Sequence, residues 1–346
     1  MKKIFKIGLC LIAGWAFNIS SVYAEDLLKW AERINISGVV EVEAAHESMD
    51  FSDPGESDTD SSDIALATVE LGIDAEINKH VSGHVVLLWE EDDTEPVDID
   101  EGYITISGED VVPLYLSAGK MYVPFGSFGS HFISDPITLE IGETRESAIR
   151  AGFANDMFDI SLSLFNGDID EINDDDKIST FVGSAVFTLP EGALPDLALS
   201  FGLSYISNMA DTDGISGEIS GPLTDSVGGL GIFLSASYME TFFIEAEYIS
   251  ATDRFAVGEL GFDNGISYKP KAYNLEFAWA PNDALELAVR YEGSDDLGTL
   301  MPEKQFGIAA SYNLCKNTSI GLEFMSGEYE NGDERDLITT QLVIEF

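Results

Sequence analysis

From Ile34 onward the chain alternates apolar and polar side chains with a period of two. "INISGVVEVEA" sets Ile34, Ile36, Gly38, Val40 and Val42 on one face, with Asn35, Ser37, Glu41 and Glu43 mainly on the other. "IALATVELGIDAEI" repeats the pattern with Val69, Leu71 and Ile73 against Thr68, Glu70 and Asp74. Such a period belongs to a strand with one apolar and one polar face. Later segments such as "FDISLSLF", "FFIEAEYIS", "LELAVRYE" and the terminal "LITTQLVIEF" read the same way, and about sixteen strands are expected in all.

The connections alternate as well. Short ones ("NKHV", "NDM", "CKN") are followed by long polar ones ("SMDFSDPGESDTDSSD", "NGDIDEINDDDK", "SNMADTDGISGEISGPLTD"). That rhythm is the one an up-and-down membrane barrel requires, with tight turns at one mouth and long loops at the other. The turn "LPEGALPD" is longer than its peers. Closure has a physical cause: in lipid each backbone N–H and C=O must be paired within the protein, so a sheet must have no edge. Ile338, Leu342, Ile344 and Phe346 alternate up to a terminal aromatic, and Trp89, Tyr248, Trp279 and Tyr312 fall near segment ends, where an interfacial girdle sits. A soluble β-sandwich also alternates. It would seldom need so many strands with charge on the opposite face, as at Glu41, Glu70, Glu245, Glu286 and Arg290. The expected fold is all-β: a closed antiparallel transmembrane β-barrel of about sixteen strands over residues 34–346.

Composition adds three points. Residues 1–24 read as a secretory signal peptide: Lys2, Lys3 and Lys6, then an apolar run from Ile7 to Phe17, then Val22-Tyr23-Ala24. A short periplasmic segment, 25–33, precedes the barrel. The chain carries 17 Lys+Arg against 63 Asp+Glu, a net charge of −46, which repels nucleic acid and attracts cations. Cys315 is the only cysteine after the signal peptide, so no disulfide forms within the mature chain.

One connection stands apart. "GKMYVPFGSFGSHFISDPITLEIGETRESAIRAGF", from residue 119, has a middle too long for a turn and too apolar for a solvated loop. It is the third long connection, between the fifth and sixth strands. With about sixteen strands the lumen holds water, and a third loop folded toward the lumen narrows it. Phe125, Phe128, Phe132, Ile133, Ile137, Leu139 and Ile141 supply apolar matter to pack on the wall. Asp135, Glu140 and Glu143 are expected to face Lys120, Arg145 and Arg150 across the opening, since opposed charges set what passes. The pore-constriction candidates are Lys120, Asp135, Glu140, Glu143, Arg145, Glu146, Arg150 and Arg290. The alternative is a loop folded over the mouth with its charges paired to each other.

On "KWAERINISGVVEVEAA", "DEGYITIS" and "YLSAGKMYVPFGSFGSHFISDPITLEIGETRESAIRAGF", the sequence resembles the LbtU-type siderophore porins of bacterial outer membranes. The resemblance is strongest over residues 29–153. It implies a sixteen-strand barrel that takes up a ferric siderophore without a plug domain and its energy coupling. Two features depart from the family: only "EDLLKWAER" precedes the first strand, where many relatives carry a longer coiled-coil segment, and a chain this acidic repels anionic ferric complexes unless local bases compensate.

The competing classes are a general, cation-preferring diffusion porin, a non-conducting structural or adhesive barrel, and an enzyme. His46, His80, His84 and His131 form no Ser-His-carboxylate order, so no catalytic residue is assigned, and neither a metal site nor a cofactor is expected. The acidic loops offer carboxylates for divalent cations but lack the glycine and spacing of an EF-hand. Expected partners are outer-membrane lipid and lipopolysaccharide, small solutes or a ferric siderophore, and further copies in a homotrimer.

Overall fold

The computed structural model describes residues 33–91, 94, 96–108, 111–172 and 177–346. The signal-peptide reading of 1–24 and nearly all of the 25–33 segment lie outside the described residues. The described chain forms sixteen strands: β1 (Ile34–Asp50), β2 (Thr59–Asn78), β3 (Val81–Trp89), β4 (Asp98–Ser107), β5 (Leu114–Tyr122), β6 (Arg145–Ala154), β7 (Phe158–Phe165), β8 (Thr180–Thr188), β9 (Leu197–Ile206), β10 (Gly229–Tyr238), β11 (Phe242–Ala251), β12 (Lys271–Asn282), β13 (Leu285–Asp295), β14 (Lys304–Cys315), β15 (Thr318–Glu328) and β16 (Glu334–Glu345). Each pairs antiparallel with its neighbours in sequence, and β16 returns to β1, closing the barrel. Phe346 completes the seam: its N–H donates to the Gly38 carbonyl at 3.0 Å and its carbonyl accepts the Gly38 N–H at 3.1 Å.

The period-two pattern explains the two surfaces. On β7, Phe158, Ile160, Leu162 and Leu164 are exposed while Ser161, Ser163 and Phe165 are buried. Exposed apolar side chains continue round the barrel, for example Leu203, Ile232, Ile244, Leu275, Val289, Ile308 and Leu322. In water such a belt would be a severe liability; in lipid it is the solvent-matched face. Aromatics edge it at both ends. Phe158, Tyr238, Phe242, Trp279 and Tyr312 lie near the short turns, and Tyr205, Tyr248, Tyr291 and Phe306 toward the long loops. Among the described residues no helix is long and apolar enough to cross a membrane, and the strands make the crossing.

The long-loop mouth differs from the sequence reading in two ways. Half of the polar stretch 48–63 is strand: β1 and β2, of 17 and 20 residues, rise as a hairpin whose connection is only 51–58. Its polar side chains stand above the lipid, so polarity there did not mean loop. The second difference is internal. The buried apolar cluster does not lie between sheets but inside the barrel, and it joins the third loop to the connections 207–228 and 252–270 through Phe125, Ile141, Met209, Ile215, Leu223, Ile249, Phe255 and Leu260.

Candidate functional site: a constriction built by the inner loop

The third loop, residues 123–144, carries one short helix, α1 (Ile137–Gly142), and crosses the lumen. Its aromatics bed against the wall. Phe125 is 1% exposed. Glycine makes the bedding possible: a side chain at Gly307 would strike Phe132 and Met325, and one at Gly229 would strike the Phe125 ring. Gly126 takes a φ of 97°, the left-handed region that glycine occupies without strain, and this turns the loop inward after Phe125.

Carboxylates of the wall then fasten the loop's backbone. Glu247 on β11 accepts the Ser127 N–H at 2.7 Å, the Phe128 N–H at 3.1 Å and the Thr138 hydroxyl at 3.0 Å. Glu276 on β12 accepts the His131 N–H at 2.8 Å. Glu292 on β13 accepts the Ile137 N–H at 2.8 Å. Glu323 on β15 accepts the N–H groups of Ile133 and Ser134 at 2.8 and 3.0 Å. Hydrogen bonds to an ionised acceptor are about twice as strong as neutral ones, and a loop leaving a strand has orphan N–H groups to offer. Arg290 on β13 anchors the cluster. Its Nε donates to Glu276 at 2.8 Å, its Nη2 to the Ser134 carbonyl at 2.9 Å, and its Nη1 to the Ser134 hydroxyl and the Asp135 carbonyl at 3.2 and 3.3 Å. The Phe132 ring covers it at 4.3 Å.

A second segment braces the loop from the other side. A 3-10 turn (Met209–Asp211) and a short helix, α2 (Asp213–Ser216), enter the barrel from the 207–228 connection. The Asp213 N–H donates to the Glu143 carbonyl at 2.9 Å, and the Asp213 carboxylate accepts the Arg145 N–H at 3.3 Å. Gly214 packs so closely on the Glu140 carbonyl that no side chain fits there.

Because the loop lies on β11–β15, the lumen stays open on the opposite side. An opening of about 490 Å³ runs between Asp135, Leu139 and Glu143 of the loop and Thr68, Glu70, His84, Val86, Leu88, Glu90, Asp100 and Glu101 of β2–β4 and the connection between β3 and β4, with Tyr122 at its side. Its charged lining is almost wholly acidic. The His84 ring is engaged by Asp74 at 2.7 Å and stands 3.7 Å from Glu101. Burial pushes Glu143 up to about 7, helped by Asp213 and Asp135 and opposed by Arg145. Burial likewise raises Asp135, where Arg290 pulls down and Glu90 and Glu323 push up, and Glu140, where Asp135 and Glu292 add to it. Lowering the pH from about 8 to about 5.5 therefore removes negative charge from the opening as Glu143 passes through its pKa. The K⁺ over Cl⁻ permeability ratio is expected to fall across that interval, and Glu143→Gln to flatten the step, as read from reversal potentials at each pH.

The residues singled out in the sequence fall in different places. Asp135 and Glu143 line the opening, and Arg145 stands beside it, bonded to Asp100 and 6.0 Å from the Tyr122 ring. Glu140 lies on α1, and Glu146 on β6 meets the field of Asp211 and Asp213. Lys120 shares the alternation of the exposed Leu114, Leu116 and Ala118. Its ammonium turns to Asp98 at 3.3 Å and to the Ile99 carbonyl at 2.8 Å. Arg150 stands further along β6, toward the short turn, at Asp159 and Tyr115. Arg290 is 1% exposed beneath the loop rather than at its edge. Loop acids thus face wall acids and a histidine, not the expected row of bases. Glu247, Glu276, Glu292 and Glu323 went unnoticed as anchors, although each sits on the polar alternation of its strand. Among the described residues no three His, Cys, Asp or Glu side chains are gathered to hold a metal ion.

A closed barrel of sixteen strands with a lipid-matched belt and a loop in its lumen is the architecture of outer-membrane porins. Solved structures agree. The outer membrane channel DcaP of Acinetobacter baumannii superposes with a TM-score of 0.63 at 15% identity, covering 90% of this chain and 97% of that one. An anion-selective porin from Comamonas acidovorans gives 0.60 at 13%, covering 90% and 99%. OmpF of Salmonella typhi, in complex with daunomycin, gives 0.58 at 9%, covering 90% and 97%. The fold is the porin fold. Its place is the bacterial outer membrane, where an exposed apolar belt on a closed barrel is stable. No family model matches the chain. In sequence it is similar to a UPF0422 protein of Coxiella burnetii, 28% identical over an alignment of 280 residues that covers 76% of this chain and 59% of that one. It is also similar to a UPF0422 protein of Legionella pneumophila strain Paris, 23% identical over an alignment of 318 residues that covers 84% and 58% of the two chains. The chain therefore spans somewhat under two thirds of the length of these relatives.

Proposed function

We propose that the chain is a passive outer-membrane diffusion channel for small solutes, and that its constriction prefers cations. The acidic lining of the opening between the loop and β2–β4 carries the reading. Few bases offset it: Arg290 is engaged by Glu276 and Glu292 and Arg335 by Glu47 at 2.7 Å, and Arg145 beside the opening balances Asp100 alone among the lining acids. A charged ring in a water-filled pore selects by sign. No catalytic role is proposed.

Three further elements belong to the proposal. Lipid and lipopolysaccharide surround the belt, and divalent cations bridge the acidic external loops to the latter. A homotrimer is the assembly we favour. No strongly exposed aromatic lies on β1–β6, where Ile36, Val42, Val85, Ile104, Ile106, Leu116 and Ile149 form an aliphatic face. A face poor in exposed girdle residues, with Trp89 half-buried, suits contact with protein better than contact with headgroups. Planar-bilayer recording in a KCl gradient tests the reading. We expect a reversal potential on the cation side and closures in three equal steps. Purified, folded protein that inserts without conductance would leave a structural or adhesive barrel in its place.

The 119–153 stretch, with its likeness to siderophore porins, supports a second reading in which the same opening passes a ferric siderophore. The acidic lining disfavours anionic complexes, so that cargo would be neutral or cationic. Iron-limited growth of a deletion strain on defined ferric siderophores separates the two: unimpaired growth on every one removes the siderophore reading.

A further inference from the structure

Arg150 differs from the other arginines of the lumen wall. Its nearest carboxylate, Asp159, is 3.4 Å from Nη2, and that carboxylate already accepts the Tyr115 hydroxyl at 2.9 Å. Its Nε is buried with no hydrogen-bond partner. The Tyr115 ring lies 5.4 Å from the guanidinium carbon, packed in the space that Gly152 leaves. Directly across from Arg150 stand Ser117 on β5 and Ser163 on β7. Ser117 is bonded to Thr105 at 2.8 Å, whereas Ser163 is 0% exposed and its hydroxyl has no partner. A guanidinium beside an aromatic ring, with one long ion pair, keeps donors to spare.

The position matters as much as the chemistry. Arg150 is five residues along β6 from Arg145, so it lies roughly 16 Å further from the long-loop mouth. A solute that has passed the acidic opening meets it next. A bare anion is repelled at the opening and a bare cation gains nothing at Arg150; a solute bearing both charges is favoured at both. We propose that Arg150, with Tyr115 beside it, is an oxyanion-docking station on the lumen wall, and that zwitterions with a carboxylate, such as amino acids and short peptides, are the solutes it serves. The proposal rests on the channel reading above. A planar guanidinium pairs with a carboxylate through two parallel N–H groups, which a lysine ammonium cannot reproduce.

Liposome swelling with the full-length channel tests this, using glycylglycine as the zwitterion and arabinose as the neutral solute. Arg150→Gln should slow swelling in glycylglycine by roughly threefold or more relative to arabinose, the effect expected for losing a charge-assisted pair. Arg150→Lys should fall between the two. If Arg150 only braces Asp159, the ratio of the two rates stays at the wild-type value, and that result overturns the proposal. No swelling of wild-type liposomes in arabinose would instead overturn the channel reading. Should the arginine variants fail to fold, the wild-type channel still decides: glycylglycine should reduce the K⁺ current in a concentration-dependent way that arabinose does not, and equal effects of the two would overturn the station.

Discussion

Replacing Arg290 with methionine is expected to free the inner loop and to give the largest change in conductance of any single substitution. The reason is electrostatic. Arg290, Glu276 and Glu292 are all buried, at 1%, 0% and 0% exposure. Arg290 is the cation that both carboxylates share, at 2.8 and 3.5 Å. Removing one member of a buried ion pair costs about 3–5 kcal/mol because a charge is left without compensation. Here two are left. They must take up protons or reach water, and water reaches them only if the loop lifts. The same substitution deletes the bonds from the guanidinium to Ser130, Ser134 and the Asp135 carbonyl and bares the Phe132 ring. Single-channel conductance should therefore rise with added current noise, and a protease added to the folded protein should cut within 123–144. Arg290→Lys keeps the charge and loses the fork, so its loop should be held less firmly than in the wild type. Wild-type conductance and resistance to cleavage in Arg290→Met would show that the carboxylates and packed aromatics hold the loop without it.

The barrel was legible because its signal is local and repeated. The alternation on segments such as "FDISLSLF" reports lipid on one side and lumen on the other, and the lengths of the connections report the two mouths. The inward course of the third loop was legible for a similar reason, since Phe125, Phe132 and Ile141 have no place in solvent. How the loop is fastened was not. Its partners lie 109 to 190 residues away, and the donors are mostly backbone N–H groups, which carry no mark in the sequence. Lys120 is the opposite case. The alternation of Leu114, Leu116 and Ala118 already sets it off the lumen face, and counting charges in one loop overrode that parity. The entry of 207–228 was hidden by its polar letters, although Met209, Ile215 and Leu223, all 0% exposed, were the mark to follow.

Selectivity should be reversible from the wall alone. Glu70 and Glu101 line the opening from β2 and β4 and make none of the bonds that hold the loop. Glu70→Lys with Glu101→Lys changes the local charge by four units while leaving Glu247, Glu276, Glu292, Glu323 and Arg290 in place. At a separation of about 7 Å in water each unit charge is worth about 0.6 kcal/mol on a monovalent ion, before screening over a Debye length of about 10 Å at 0.1 M salt. The effect has opposite signs for K⁺ and Cl⁻, and screening about halves it, so the permeability ratio is expected to shift by on the order of fiftyfold toward Cl⁻. Reversal potentials in a KCl gradient read the shift directly. Single-channel conductance should change far less than in Arg290→Met, because the loop stays seated. A large shift in sign preference with little change in size would separate what the opening selects from what the loop obstructs; an unshifted reversal potential would mean that ions pass elsewhere than between the loop and β2–β4.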